Sequence, residues 1–217
     1  MSRVDLYARP HKALRAMMAA TLVAIGQADP HDEGEMREAQ SKLEELLALC
    51  ERHMQVENEF IHRAIDAKRQ GAACALAAEH AEHAAAIESL RAAGAARAPD
   101  LYRRLAGFVA ENFQHMEHEE REGHAILHAL FGDAELAALE QRIVASVPPA
   151  EKMQMLRWML ESMGHGERVA LLTDLRHAPG PVFDAALAVA RTHLEPVAVD
   201  RLEAALELSG RRERSPA

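Results

Sequence analysis

The chain has 217 residues, a formal charge of −9 and a pI near 5.8, with 49% of its residues apolar and only 4% aromatic. The acidic balance repels phosphate backbones and excludes general nucleic-acid binding. An apolar set dominated by Ala, Leu and Met favours helices and excludes an all-β fold. No apolar run approaches the roughly 20 residues needed to cross a bilayer, so no membrane partner is expected. Met1 to Pro10 hold no apolar stretch ahead of a small-residue cleavage site. Cys50 and Cys74 fall in separate helical patterns without CxxC spacing, which predicts reduced thiols and a cytoplasmic protein.

The first part of the chain reads as four helices. Pro10 suits an early helical position, and Leu14, Met18, Leu22 and Ile25 form a stripe that runs to Gly26. Asp29-Pro30 has the form of an N-cap followed by proline, opening a second helix that ends near Gly71. That helix carries Leu43, Leu46, Cys50, Phe60 and Ala64 on one stripe. A third spans roughly Ala73 to Ala93, and a fourth begins near Pro99-Asp100 and ends before Gly132-Asp133. Short joints between such helices predict antiparallel neighbours, hence an all-α fold with an up-down four-helix bundle. Beyond Asp133, proline and glycine punctuate four or five shorter amphipathic stretches. The expected domains are therefore a bundle over 1–132, a C-terminal helical region over 133–209 and a disordered tail over 210–217.

Ten of the thirteen histidines precede residue 132, and helical phase decides which of them face inward. At about 100° per residue, His11 lies roughly 40° from the stripe of its own helix. His53 and Glu57, four apart, fall within about 60° of Leu46, Cys50 and Phe60. His80 and His83 lie within about 40° of the line through Leu76, Ile87 and Leu90, while His115 and Glu119 repeat the four-residue spacing beside Phe108 and Ile126. A buried carboxylate or imidazole without a partner is costly, and a metal satisfies several at once. An isolated inward histidine is more often a core residue, but this many ligand groups on four consecutive helices point to a metal site. His11, His53, Glu57, His80, His83, His115 and Glu119 exceed what one tetrahedral or octahedral ion uses. Two ions would share them, with Glu57 and Glu119 bridging. Imidazole and carboxylate donors suit iron, zinc, manganese or nickel, and spacing does not choose.

The order His11, His53-x-x-x-Glu57, His80-x-x-His83, His115-x-x-x-Glu119 resembles the hemerythrin-like (HHE cation-binding) domain over roughly residues 6 to 132. The resemblance implies a four-helix bundle holding two iron ions as a non-haem di-iron centre. It also implies a small ligand such as dioxygen, nitric oxide or iron itself, bound or sensed. The oxygen-carrying members space the third-helix histidines four apart and use a wider His and Asp pair on the fourth helix. Of His80 and His83, His80 is favoured because it follows Glu79. A His-rich centre of net charge about +2 suits reversible binding better than vigorous oxidation. The alternatives are a redox enzyme consuming peroxide or nitric oxide, and a helical adaptor with a structural metal site.

A ferritin-like di-iron site needs two Glu-x-x-His pairs. Only Glu59-x-x-His62 is present, and His62 lies about 180° from His53 on an unbroken helix. His118 falls roughly 120° off its stripe and is expected in solvent; His124 and His128, four apart, could bind a surface metal but read first as exposed. Cys50 and Tyr7 are near neighbours of His53 and His11 and read first as packing. Met153, Met155, Trp158, Met159 and Met163 form a soft cluster that also reads first as core. The C-terminal helices are the candidate surface for a protein partner or a homodimer.

Overall fold

The computed structural model describes residues 3–93, 98–178 and 180–213. Among these it is 86% helical, with nine helices and no strands. Helix α1 is Ala8–Gln27. Helix α2 covers 33–68, with α-geometry over Glu33–Val56, a π turn over Glu57–His62 and α-geometry again over Arg63–Lys68. Helix α3 is Cys74–Ala93. Helix α4 covers 98–130, again with a π turn, here over Glu119–Gly123 between Ala98–His118 and His124–Leu130. Five shorter helices follow: α5 Asp133–Ser146, α6 Pro149–Ser162, α7 His165–Arg176, α8 Val182–His193 and α9 Pro196–Glu213.

The chain divides into two compact units, the first ending at Ser146 and the second beginning at Val147. In the first unit, α1 packs on α2 and α4, and α3 packs on α2 and α4. Cross-helix pairs run in opposite sequence order (Arg15 with Glu120 and Gly26 with Tyr102, Asn58 with His80 and Glu51 with Arg91), as in an up-down bundle. The interior is filled by Leu14, Met17 and Met18 from α1, Leu43, Leu46 and Leu47 from α2, Ile87 from α3 and Leu101 and Leu105 from α4, none more than 2% exposed. Helix α5 belongs to this unit. Leu136 joins a cluster with Tyr7, Ile61, Ile65 and Leu127, Arg3 bonds Asp133 at 2.6 Å, and Lys68 bonds Glu135 at 2.6 Å.

The start of α2 differs from the expectation at Asp29-Pro30. The cap is Asp32, whose carboxylate accepts from Gly34 N at 2.7 Å and Glu35 N at 3.1 Å. Asp29 instead closes a local turn by accepting from His31 N at 2.8 Å. Both aspartates suit a cap, and Asp32 fills the role because its carboxylate reaches the second and third amides of the helix. The end of α3 near Gly94 lies outside the described residues. Helix α9 extends into the segment expected as tail, and residues 214–217 are outside the description.

The second unit has its own core of Leu156, Leu160, Met163, Leu171, Leu172, Ala186, Ala190, Leu202 and Leu206, with Met153 and Met159 packed against it. Met155 and Trp158 are half-buried. Arg168 Nε donates to Leu160 O at 2.7 Å near the end of α6, where free carbonyls favour a cation.

Gly71, between α2 and α3, has φ +78°, a conformation that costs an L side chain about 1–2 kcal/mol. Gly107 sits mid-helix in α4 with open space where a Cβ would be. Thermal melting should therefore show Gly71→Ala destabilising by at least about 1 kcal/mol and Gly107→Ala stabilising by about 0.5–1 kcal/mol.

Candidate metal centre

His11 at the end of the first turn of α1, His53 and Glu57 on α2, His80 on α3, and His115 and Glu119 on α4 converge at one level of the bundle. His11 Nε2 lies 3.5 Å from Glu57 Oε1 and 3.4 Å from Glu119 Oε2. His53 Nε2 is 3.2 Å from Glu57 Oε1, and His115 Nε2 is 3.3 Å from Glu119 Oε2. His80 Nε2 is 3.5 Å from both Glu57 Oε2 and Glu119 Oε1. These donors form two groups that could each hold an ion: His11, His53, Glu57 and Glu119, and Glu57, His80, His115 and Glu119. Two donors about 2.1 Å from one ion at tetrahedral or octahedral angles stand roughly 3.0–3.4 Å apart, close to the 3.2–3.5 Å found here. Glu57 and Glu119 belong to both groups.

The polar atoms at the centre suit a cation. Glu57, at 3% exposed, and Glu119, at 0%, are the only described carboxylates so deeply buried. Among the described residues, Glu57 Oε2, both Glu119 oxygens and the Nε2 atoms of His11, His53 and His62 are buried without a hydrogen-bond partner. Native interiors rarely leave such groups unsatisfied, and a cation would take all of them.

The outer ring nitrogens are held by a second layer of acceptors. His11 Nδ1 meets Glu120 at 3.0 Å, and Arg15 pairs with that carboxylate at 2.6 Å. His115 Nδ1 meets Glu79 at 2.6 Å, and His80 Nδ1 donates to Asn58 Oδ1 at 3.0 Å. Such contacts set which nitrogen is protonated and aim the other inward. Tyr7 is fully buried, stacks beside His11 at 5.4 Å between ring centroids, and has an unpartnered hydroxyl. Burial, and then the charges of Glu57 and Glu119, hold that hydroxyl protonated.

The structure separates His80 from His83. His83 is buried but turns its ring against Phe108 and His115, outside both donor groups. Two histidines assigned to the outer face are placed differently. His62 is 4% exposed and stacks on His80 at 4.9 Å. In an unbroken α-helix the nine residues from His53 to His62 sum to roughly 180°. The π turn over Glu57–His62 accommodates one extra residue, which removes roughly 100° and brings His62 to the inner side. His118 is only half-exposed, because its Nδ1 meets Glu79 at 2.8 Å and its Nε2 meets Glu122 at 3.1 Å. Sequence phase alone missed Glu79, Asn58 and Glu120, which follow or precede inward residues by one. The one sequence signal for His62 is its five-residue distance from Glu57, which faces inward only on a π turn. Cys50 is buried and its thiol is pushed up to about 12, first by burial and then by Glu51. Cys74 is exposed, and both thiols are free.

The metal-free pocket has opposed titrations. At His11 burial disfavours the charged ring, but contacts with Glu119, Glu120 and Glu57 overcome it and raise that pKa well above 6.5. At His80 contacts with Glu119 and Glu57 raise it to about 9. Burial prevails at His53 and His83, lowering each to about 4. Burial also works against ionised Glu57 and Glu119, yet their imidazole neighbours hold both well below the usual carboxylate range. Above pH 6.5 the native state keeps protons on His11 and His80 that the unfolded chain has released, so stability falls as pH rises towards 9. Below pH 6.5 the unfolded chain protonates counterparts of His53 and His83 that stay neutral when folded, so stability falls towards pH 4 as well. Below about 4.5 the ionised glutamates add to that fall. Chemical denaturation of metal-free protein across pH should therefore find maximal stability near 6.5. A monotonic profile from pH 5 to 8 would contradict this balance.

No curated protein and no solved structure matches the chain significantly. The family model described as the hemerythrin HHE cation-binding domain matches residues 2–127, a span that contains all six residues of the two donor groups. The chain belongs to the hemerythrin HHE cation-binding family.

Proposed function

We propose that this is a non-haem di-iron protein that binds or senses a small ligand such as dioxygen, nitric oxide or iron itself. The observation that carries the reading is the sharing of Glu57 and Glu119 between two four-donor groups. One ion would take His11 and His53, the other His80 and His115, with the two carboxylates common to both. An iron pair supplies exchangeable coordination positions and a reversible change of oxidation state. Neutral imidazoles and two bridging carboxylates leave two divalent ions with a net charge of about +2. Glu79 and Glu120, behind His115 and His11, temper that charge and fix the rings. The Tyr7 ring and the bundle's aliphatic side chains keep bulk water away, which favours binding of small uncharged diatomics. His-rich donation favours holding such a ligand over vigorous oxidation of a substrate.

Anaerobic reconstitution with ferrous iron should load two ions per chain by elemental analysis. One ion or none would refute the reading. Glu119→Ala should abolish binding of both, whereas His118→Ala, acting only through Glu79, should lower affinity by no more than about 10–100-fold. Because His11 and His80 are protonated in the metal-free pocket at neutral pH, loading should release about two protons per chain and weaken as pH falls. A weakly buffered indicator dye measures this.

The reduced iron-loaded protein should change its visible spectrum when dioxygen or nitric oxide is added, with little steady-state consumption. A colourless, unresponsive sample with two zinc ions would indicate a structural site, since a filled d shell gives no such transitions. Rapid multiple turnover with a simple reductant would favour a redox enzyme.

A further inference from the structure

His62 occupies a place that neither donor group includes, and its chemistry matches that of His80. Asn58 Oδ1 accepts from His62 Nδ1 at 2.9 Å and from His80 Nδ1 at 3.0 Å. An amide oxygen only accepts, so each ring carries a proton on Nδ1, and a ring that binds a metal does so through the lone pair at Nε2. The rings stack with 27° between their planes, and both Nε2 atoms approach the same oxygen, Glu119 Oε1, His80 at 3.5 Å and His62 at 3.8 Å.

Core packing explains the stack and the Asn58 contact but leaves the other nitrogen of His62 unaccounted for. That Nε2 is buried and has no hydrogen-bond partner among the described residues. At 3.8 Å it is too far from Glu119 for a proton to join them. A lone pair facing a carboxylate oxygen across that gap is repulsive unless a cation lies between. The separation is within about half an ångström of that expected for two donors on one ion.

We propose that His62, turned inward by the π turn that begins at Glu57, is a metal donor that joins Glu57, His80, His115 and Glu119, and that Asn58 sets the tautomer of both His62 and His80. This rests on the two-ion reading above. The residue order on which the resemblance rests does not include His62.

The test is a crystal structure of the full chain loaded with cobalt(II), located by anomalous scattering, together with metal competition in solution. His62 Nε2 should lie about 2.0–2.2 Å from one of two cobalt peaks. His62→Gln should still bind two ions but hold one of them at least tenfold more weakly, against a chromophoric chelator. Asn58→Ala should weaken the same ion by about 10–100-fold. Two cobalt peaks with His62 Nε2 more than about 3 Å from either would overturn the proposal while leaving the two-ion reading intact. A single peak, or none, would overturn both.

Discussion

Everything in the first unit depends on two carboxylates, Glu57 and Glu119, held where water does not reach. A buried charge survives only when compensated, and each of these faces several imidazole nitrogens at 3.2–3.8 Å. His11, His53, His80 and His115 surround them from all four helices. The helices are therefore tied at one level by polar contacts, while the leucines of α1, α2 and α4 fill the rest of the bundle. Without a cation the arrangement is a compromise among protons. His11 and His80 keep one, His53 does not, and both glutamates stay ionised. A bundle built for stability alone would place leucine at such positions, because hydrophobic replacement of buried ion pairs is commonly neutral or stabilising.

The π turns show where the helices have been bent to this purpose. Each begins at one of the two glutamates, Glu57 on α2 and Glu119 on α4. A π turn is uncommon because its hydrogen bonds close a wider ring, and single turns of it concentrate at functional sites. On α2 the wider turn carries His62 inward. On α4 it ends at Gly123, where the absence of a side chain matters, since a Cβ there would stand 3.0 Å from Tyr7 Oη. A side chain at residue 123 would press on Tyr7, which would have to move by a few tenths of an ångström.

The second unit follows ordinary helix-packing rules and has no comparable polar centre among its described residues. Its methionines serve the core, with Met163 buried and Met153 and Met159 packed on it. His193 pairs with Glu161 at 3.6 Å near the surface. The chemistry of the chain is concentrated in the unit that ends at Ser146, in keeping with the crowding of histidines before residue 132.

Periodicity alone made the all-α class, the four long helices and the inward phase of His11, His53, Glu57, His80, His115 and Glu119 legible, because α-helical phase is local and accumulates predictably at about 100° per residue. The two HxxxE pairs carried the family resemblance for the same reason, each pair lying within one turn. What phase counting could not deliver lay beyond the first break in that regularity. His62 reads as outward on any continuous α-helix, and only the π turn reverses it. His80 and His83 have similar phase, and the fold places them differently: His80 joins the donor groups, while the His83 ring packs against Phe108 and His115. Glu79, Asn58 and Glu120 became visible as partners only when neighbouring helices brought acceptors to the outer ring nitrogens. Those contacts join residues 22 to 109 positions apart. Where a helix keeps regular α-geometry the sequence determines which side chains face the bundle interior, but the axial level and rotation at which four helices meet are tertiary quantities, and they decide which donors touch.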